Sequence, residues 1–205
     1  MLKKIDRHTL NLSSNRIKPI LGMTAEKADS FHIDKAIDKQ LTKSDHLIHP
    51  LGVWEIFPIN RLLQENKAIL GDNSVLEGSS IMNHLAGCSY AGVLAATIGV
   101  WLEKKVDALF ADNEYLKAVI LDAIGSEAAE NTIDILNTWF LEEQGLVQGQ
   151  YTKRYSPGYG DWNIEIQRDL LSLAKAERIG MKVNDASILI PRKSVTAVVG
   201  FKENR

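Results

Sequence analysis

The chain has 205 residues, with 24 Lys and Arg against 26 Asp and Glu, a formal net charge of -2 and 45% hydrophobic residues. This suits a folded core, and without a basic block there is no cause for bulk attraction to nucleic acid or anionic membrane. The single cysteine, Cys88, excludes an internal disulfide and every multi-cysteine zinc or iron–sulfur pattern. No stretch approaches the ~18 consecutive apolar residues of a membrane span, and the basic start lacks the apolar run of a secretory signal, so a cytoplasmic, metal-free protein is expected.

Residues 1–22 show no sustained period and read as a loosely packed arm. From Thr24 to about Lys43 the apolar spacing predicts a helix, with the Thr24 hydroxyl as its cap. Residues 1–50 are thus expected to form an arm and helix, and 51–205 the main domain. Gly52–Ile59 is rich in β-branched and aromatic residues and predicts a strand. Pro58, which cannot donate to a ladder, predicts a sheet edge or the strand's end. Short strands are expected at 67–70 and 74–77, and a serine-capped, glycine-ended helix at 79–87.

The apolar run from Ala91 to Ile98 suits a buried strand. Helical patterns follow over 100–109 and 114–144, the second the longest in the chain, with a shorter one at about 163–176. Strands at 187–190 and 194–201 close the sequence. Without regular β-α alternation, the order favours an α+β fold: a mixed or antiparallel sheet flanked by helices, one of them long and central.

Two features could carry chemistry. On the long helix, Leu116, Ile120 and Ala123 share a stripe that predicts the buried face, yet the stripe continues into Glu127, Glu130 and Asp134. Such carboxylates are either a hydrated face or the wall of a cleft for a cationic, amino-bearing ligand. The second feature is Lys153-Arg-Tyr-Ser-Pro-Gly-Tyr-Gly-Asp-Trp162, a tight-turn segment in which Arg154 could grip a carboxylate through paired N–H groups. Tyr155, Tyr159 and Trp162 would offer stacking surfaces or act as plugs. His84 reads as a satisfied or exposed histidine and Cys88 as a buried, inert thiol. No P-loop, dinucleotide fingerprint or nucleophile elbow is present.

Arg154-Tyr-Ser-Pro-Gly-Tyr159 resembles the Arg-x-x-x-Gly-Tyr signature of the S-adenosylmethionine-binding activation domain of cobalamin-dependent methionine synthase. Gly125-Ser-Glu-Ala-Ala-Glu130 upstream, and Ile179-Gly-Met-Lys-Val-Asn-Asp-Ala-Ser187 with the strand Ser194–Phe201 downstream, are similar to that family in the same order. His84-Leu-Ala-Gly-Cys88, Ala95-Ala-Thr-Ile-Gly99 and Gly158-Tyr-Gly-Asp-Trp162 look like hallmarks of short, free-standing relatives. The resemblance runs from about Leu51 to Phe201. It departs after Tyr159, where the fused enzymes typically continue Pro-Ala-Cys-Pro and this chain has Gly-Asp-Trp-Asn.

The resemblance implies a module that positions S-adenosylmethionine for the reductive methylation of inactive cob(II)alamin. Arg154 would bind the ligand's carboxylate, the backbone around Ser156 and Gly158 would pack against it, and Tyr159 would face the ligand or the cobalamin. Glu127, or failing it Glu130, would meet the amino end. The implied partners are a cobalamin-binding methionine synthase subunit acting in trans and a flavodoxin-like electron donor. The chain would then be a component of a methyltransferase and not a complete enzyme. The alternative is a docking or accessory protein for corrinoid proteins without methyl transfer.

Overall fold

The computed structural model describes residues 1–23, 30–62, 67–71 and 74–202, so the expected cap at Thr24 lies outside the described residues. Its centre is an antiparallel sheet: β1 (Leu2–Lys4), β2 (Leu51–Leu62), β3 (Lys67–Leu70), β4 (Val75–Glu77), β5 (Tyr90–Thr97) and a late strand, Ser194–Phe201. The helices are α1 (Ser14–Ile17), α2 (Ser30–Ser44), α3 (Ser79–His84), α4 (Trp101–Ala111), α5 (Tyr115–Glu143) and α6 (Gln167–Ala174). A two-stranded hairpin, β6 (Lys182–Val183) with β7 (Leu189–Ile190), precedes the last strand, β8. The strand order β4-β3-β2-β5-β8, with β1 also on β2, is the expected α+β arrangement.

Side chains alternate across the pleat and divide the interior in two. Trp54, Leu94, Ala96, Val199 and Phe201 face the long helix α5 together with α2 and α4. Val53, Ala91, Val93, Ala95 and Val198 face the opposite layer, where Leu170, Leu173, Ile81 and Trp162 pack. The helix α5 lies close on the sheet because glycines make room for it. A Cβ on Gly52 would come within 2.4 Å of Leu136 Cδ1, and one on Gly92 within 2.4 Å of Phe140 Cζ.

Several expectations are revised. Residues 1–22 are not loosely packed: β1 pairs with Leu51–Val53, and Ile5, Leu10 and Ile17 enter the core below α5. Pro58 lies inside a central strand, opposite Tyr90 of β5. Its missing N–H is nevertheless accommodated. Alternate residues of β2 point away from β5, where β1 ends at Val53 and β3 begins at Ile59, so the proline falls in the gap between them. Leu116 is 60% exposed although Ile120 and Ala123 on the same stripe are buried; it stands at the open side of a groove between α2 and α4, while Ala118 on a neighbouring face is fully buried. Cys88 is half-buried, not buried. The strand β6 carried no pattern strong enough to predict it.

Candidate functional site

The acidic stripe of α5 and the loop after it come together. Glu127, Glu130 and Asp134 are spaced by three and four residues, so they share one face of the helix. Arg154, carried by the loop after α5, reaches back onto this face. Its Nη2 donates to Glu130 Oε2 at 2.6 Å and its Nε to Asp134 Oδ1 at 2.8 Å. The Arg154 side chain is 25% exposed, the two carboxylates about half. Burial alone would depress the guanidinium's pKa, but the hydrogen bonds and charges of Glu130 and Asp134 more than offset it, and the net direction is upward.

Glu127 behaves differently. It is 8% exposed and accepts from two directions, Arg16 of the N-terminal arm and the Nδ2 of Asn131 at 2.7 Å. Asn131 Oδ1 in turn accepts the Asn11 backbone N–H at 3.0 Å, tying the arm to α5. The stripe is therefore divided: Glu127 is buried, while Glu130 and Asp134 remain about half exposed to solvent. Two arginines far apart in the sequence pair with it, Arg16 with Glu127 and Arg154 with Glu130 and Asp134. Sequence reasoning missed Arg16, Asn11 and Asn131, for no local pattern links the arm to a helix 111 residues away.

The loop is held against β8. Tyr155 exchanges both backbone hydrogen bonds with Val198, at 2.9 and 2.8 Å. Its ring is sandwiched between His84, 4.8 Å away, and Trp162, 5.7 Å away. Trp162 is 1% exposed. Two of the three aromatics expected to offer stacking surfaces are thus spent inside the protein. Tyr159, at 66% exposure, is the one that projects. Gly158 has φ +90, which lets its N–H bond the Trp162 carbonyl at 2.8 Å and turns the chain so that Tyr159 points outward. Ser156 is half-buried between Tyr155 and the buried Pro157.

The departure Gly160-Asp-Trp162 has a structural role. A Cβ on Gly160 would meet Ser80 Oγ at 2.3 Å. Asp161 accepts the backbone N–H groups of Ser79 and Ser80, both at 2.8 Å, and so caps α3 from a distant loop. Hydrogen bonds from Ser80, side chain and backbone, and from Ser79 lower its pKa to about 2. His84, at the other end of α3, lies 2.8 Å from Thr152 Oγ1. Burial lowers its pKa, against the opposing pull of a hydrogen bond with the Lys153 backbone. It is a satisfied structural histidine.

Chemically, Arg154 with Glu130 and Asp134 offers a fork for a carboxylate and negative charge for a cation; Tyr159, 6.2 Å from the Tyr155 ring, is a separate exposed ring on the same loop. The site contains no nucleophile–base pair. Among the described residues no group of His, Cys, Asp and Glu could hold a metal ion, and no helix is long and apolar enough to cross a membrane.

An antiparallel sheet covered on both faces, with one long helix across its centre, is a fold this chain shares with a solved reactivation domain. The particular structure it resembles is a crystal structure of the MetH reactivation domain bound to AdoHcy, with a TM-score of 0.72 at 16% identity, covering 100% of this chain and 79% of that one. No family model matches the sequence. At that identity the likeness establishes the fold.

Proposed function

We propose that the protein is an S-adenosylmethionine-binding reactivation module that supports the reductive methylation of cob(II)alamin held by a partner. One observation carries the reading: in a chain that aligns over its whole length with a reactivation-domain fold, Arg154 is held over the acidic stripe of α5. The residues fit the ligand in charge. Arg154 suits its carboxylate, Glu130 and Asp134 suit its ammonium and sulfonium, and the Tyr159 ring gives a flat contact. Ser156 and Gly158 shape the backbone beneath. Glu130 replaces Glu127 as the favoured carboxylate, because Glu127 is buried, ion-paired with Arg16 and hydrogen-bonded by Asn131, whereas Glu130 is half exposed.

Bound there, S-adenosylmethionine would supply a methyl group on a sulfonium, a leaving group that needs no general acid. The protein's contribution is then placement. Arg154 and the stripe orient the amino-acid end, and the loop pinned to β8 fixes where Tyr159 stands. In the free protein Arg154 is paired with Glu130 and Asp134, so binding requires the ligand's carboxylate to share or displace those contacts. That competition weakens affinity compared with an open arginine. A flavodoxin-like donor and a cobalamin subunit in trans complete the proposal.

Calorimetric titration of the purified chain with S-adenosylmethionine, with Arg154→Ala as control, tests it. Saturable binding that the variant loses supports the site. If the wild type binds no ligand either alone or mixed with a cobalamin protein, the reactivation role falls, and docking to corrinoid proteins without methyl transfer takes its place.

A further inference from the structure

At the other end of α5, about 20 Å from Arg154 at 1.5 Å per residue, a groove of about 800 Å³ runs between α2 and the α4–α5 corner. Its floor is aliphatic, with Leu109, Ile120 and Leu121, and Leu116 stands at its lip with 60% exposure. Its walls carry lysines on both sides: Lys39 and Lys43 from α2, Lys105 from α4 and Lys117 from α5. Lys117 is paired with Glu114 at 2.7 Å. Lys39, Lys43 and Lys105 make no ion pair or hydrogen bond among the described residues. Asp112 is the other acid on the lining, so positive charge is in excess in a protein whose net charge is -2.

Three unpaired cations spread over both walls do not suit a single anionic head, which one or two lysines would satisfy. An inorganic polyanion would meet the lysines but leave the leucine floor uncovered. An amphipathic helix with acidic flanks meets both, its aliphatic ridge on the floor and its carboxylates against the two walls. The stretch from Ala36 to Ser44, about 12 Å at 1.5 Å per residue, accepts two to three turns of such a helix. We infer that this groove is a docking site for an acidic amphipathic helix of a protein partner. The inference does not rest on the ligand assigned to Arg154.

The probe is a labelled synthetic peptide of about three to four helical turns, with leucines on one face and glutamates on both flanks, titrated into the full chain by fluorescence anisotropy. A peptide of identical composition, permuted so that the leucines surround the helix, is the control. The amphipathic peptide is expected to bind about tenfold or more tightly than the permuted one and to weaken steeply with salt. Lys39→Glu/Lys43→Glu/Lys105→Glu should lose about tenfold or more. Leu116→Asp, with every lysine kept, should also weaken binding, while titration with S-adenosylmethionine stays as in the wild type. Equal binding of both peptides, full displacement by tripolyphosphate at matched charge, or no loss in the triple variant would overturn the inference. So would the absence of saturable binding to the wild type.

Discussion

Replacing Arg154 with alanine separates a brace from a ligand site, because the two roles predict different magnitudes. As a brace, Arg154 contributes two ion pairs to carboxylates that are about half exposed. Such pairs are worth ~0.2–1 kcal/mol each, so the variant should lose about 0.5–2 kcal/mol of stability. For a domain of this size that is a fall of roughly 1–8 °C in Tm. As a ligand fork, the same side chain makes charge-assisted bonds to a carboxylate, and removing it should cost ~2–5 kcal/mol of binding, roughly 30-fold to several thousand-fold in Kd. Thermal melts and calorimetric titration of the same preparations read the two quantities. Arg154→Lys should keep most of the stability but little of the affinity, since an ammonium cannot reproduce the fork. A fall in Tm with unchanged affinity for S-adenosylmethionine would refute the ligand role and leave Arg154 as the clamp between the loop and α5.

Three other outcomes test the structural reasoning. Gly92→Ala places a methyl within 2.4 Å of Phe140, whose ring is boxed by Trp54 and Phe201, so denaturant melts should show a loss of about 1–3 kcal/mol from overpacking. The folded-state pKa of His84 is depressed by burial below 6.5; the unfolded chain therefore binds more protons at mildly acidic pH, and stability present above about pH 6.5 should fall as the pH drops. His84→Asn should flatten that slope in melts at successive pH values. The folded-state pKa of Asp161 is lowered from 3.8 to about 2, so its contribution is present above pH 3.8 and lost as the pH falls towards 2. Asp161→Asn should lower Tm at neutral pH and loosen hydrogen-exchange protection at Ser79 and Ser80; unchanged protection would remove Asp161 as the cap of α3.

What the sequence determined by itself is what short-range periodicity and backbone chemistry encode. The helical period over 114–144 becomes α5 at Tyr115–Glu143, and the apolar runs at 91–98 and 194–201 become the neighbouring strands β5 and β8. Pro157 and Gly158 mark the turn that holds Arg154 and Tyr159, and the absence of β-α alternation pointed to the antiparallel sheet. Only the tertiary structure decided how these pieces meet. Which carboxylate Arg154 reaches, why Glu127 is covered, and which of three aromatics stays outside depend on contacts between residues 24, 111 and 7 positions apart. Pro58 sits in a central strand because two short partners leave a gap beside it, a fact of pairing and not of its own preference. The arm read as loose because three buried residues, Ile5, Leu10 and Ile17, are too few and too irregular to make a period. They are buried because α5 and the sheet offer them an apolar surface that no local pattern in the arm could reveal.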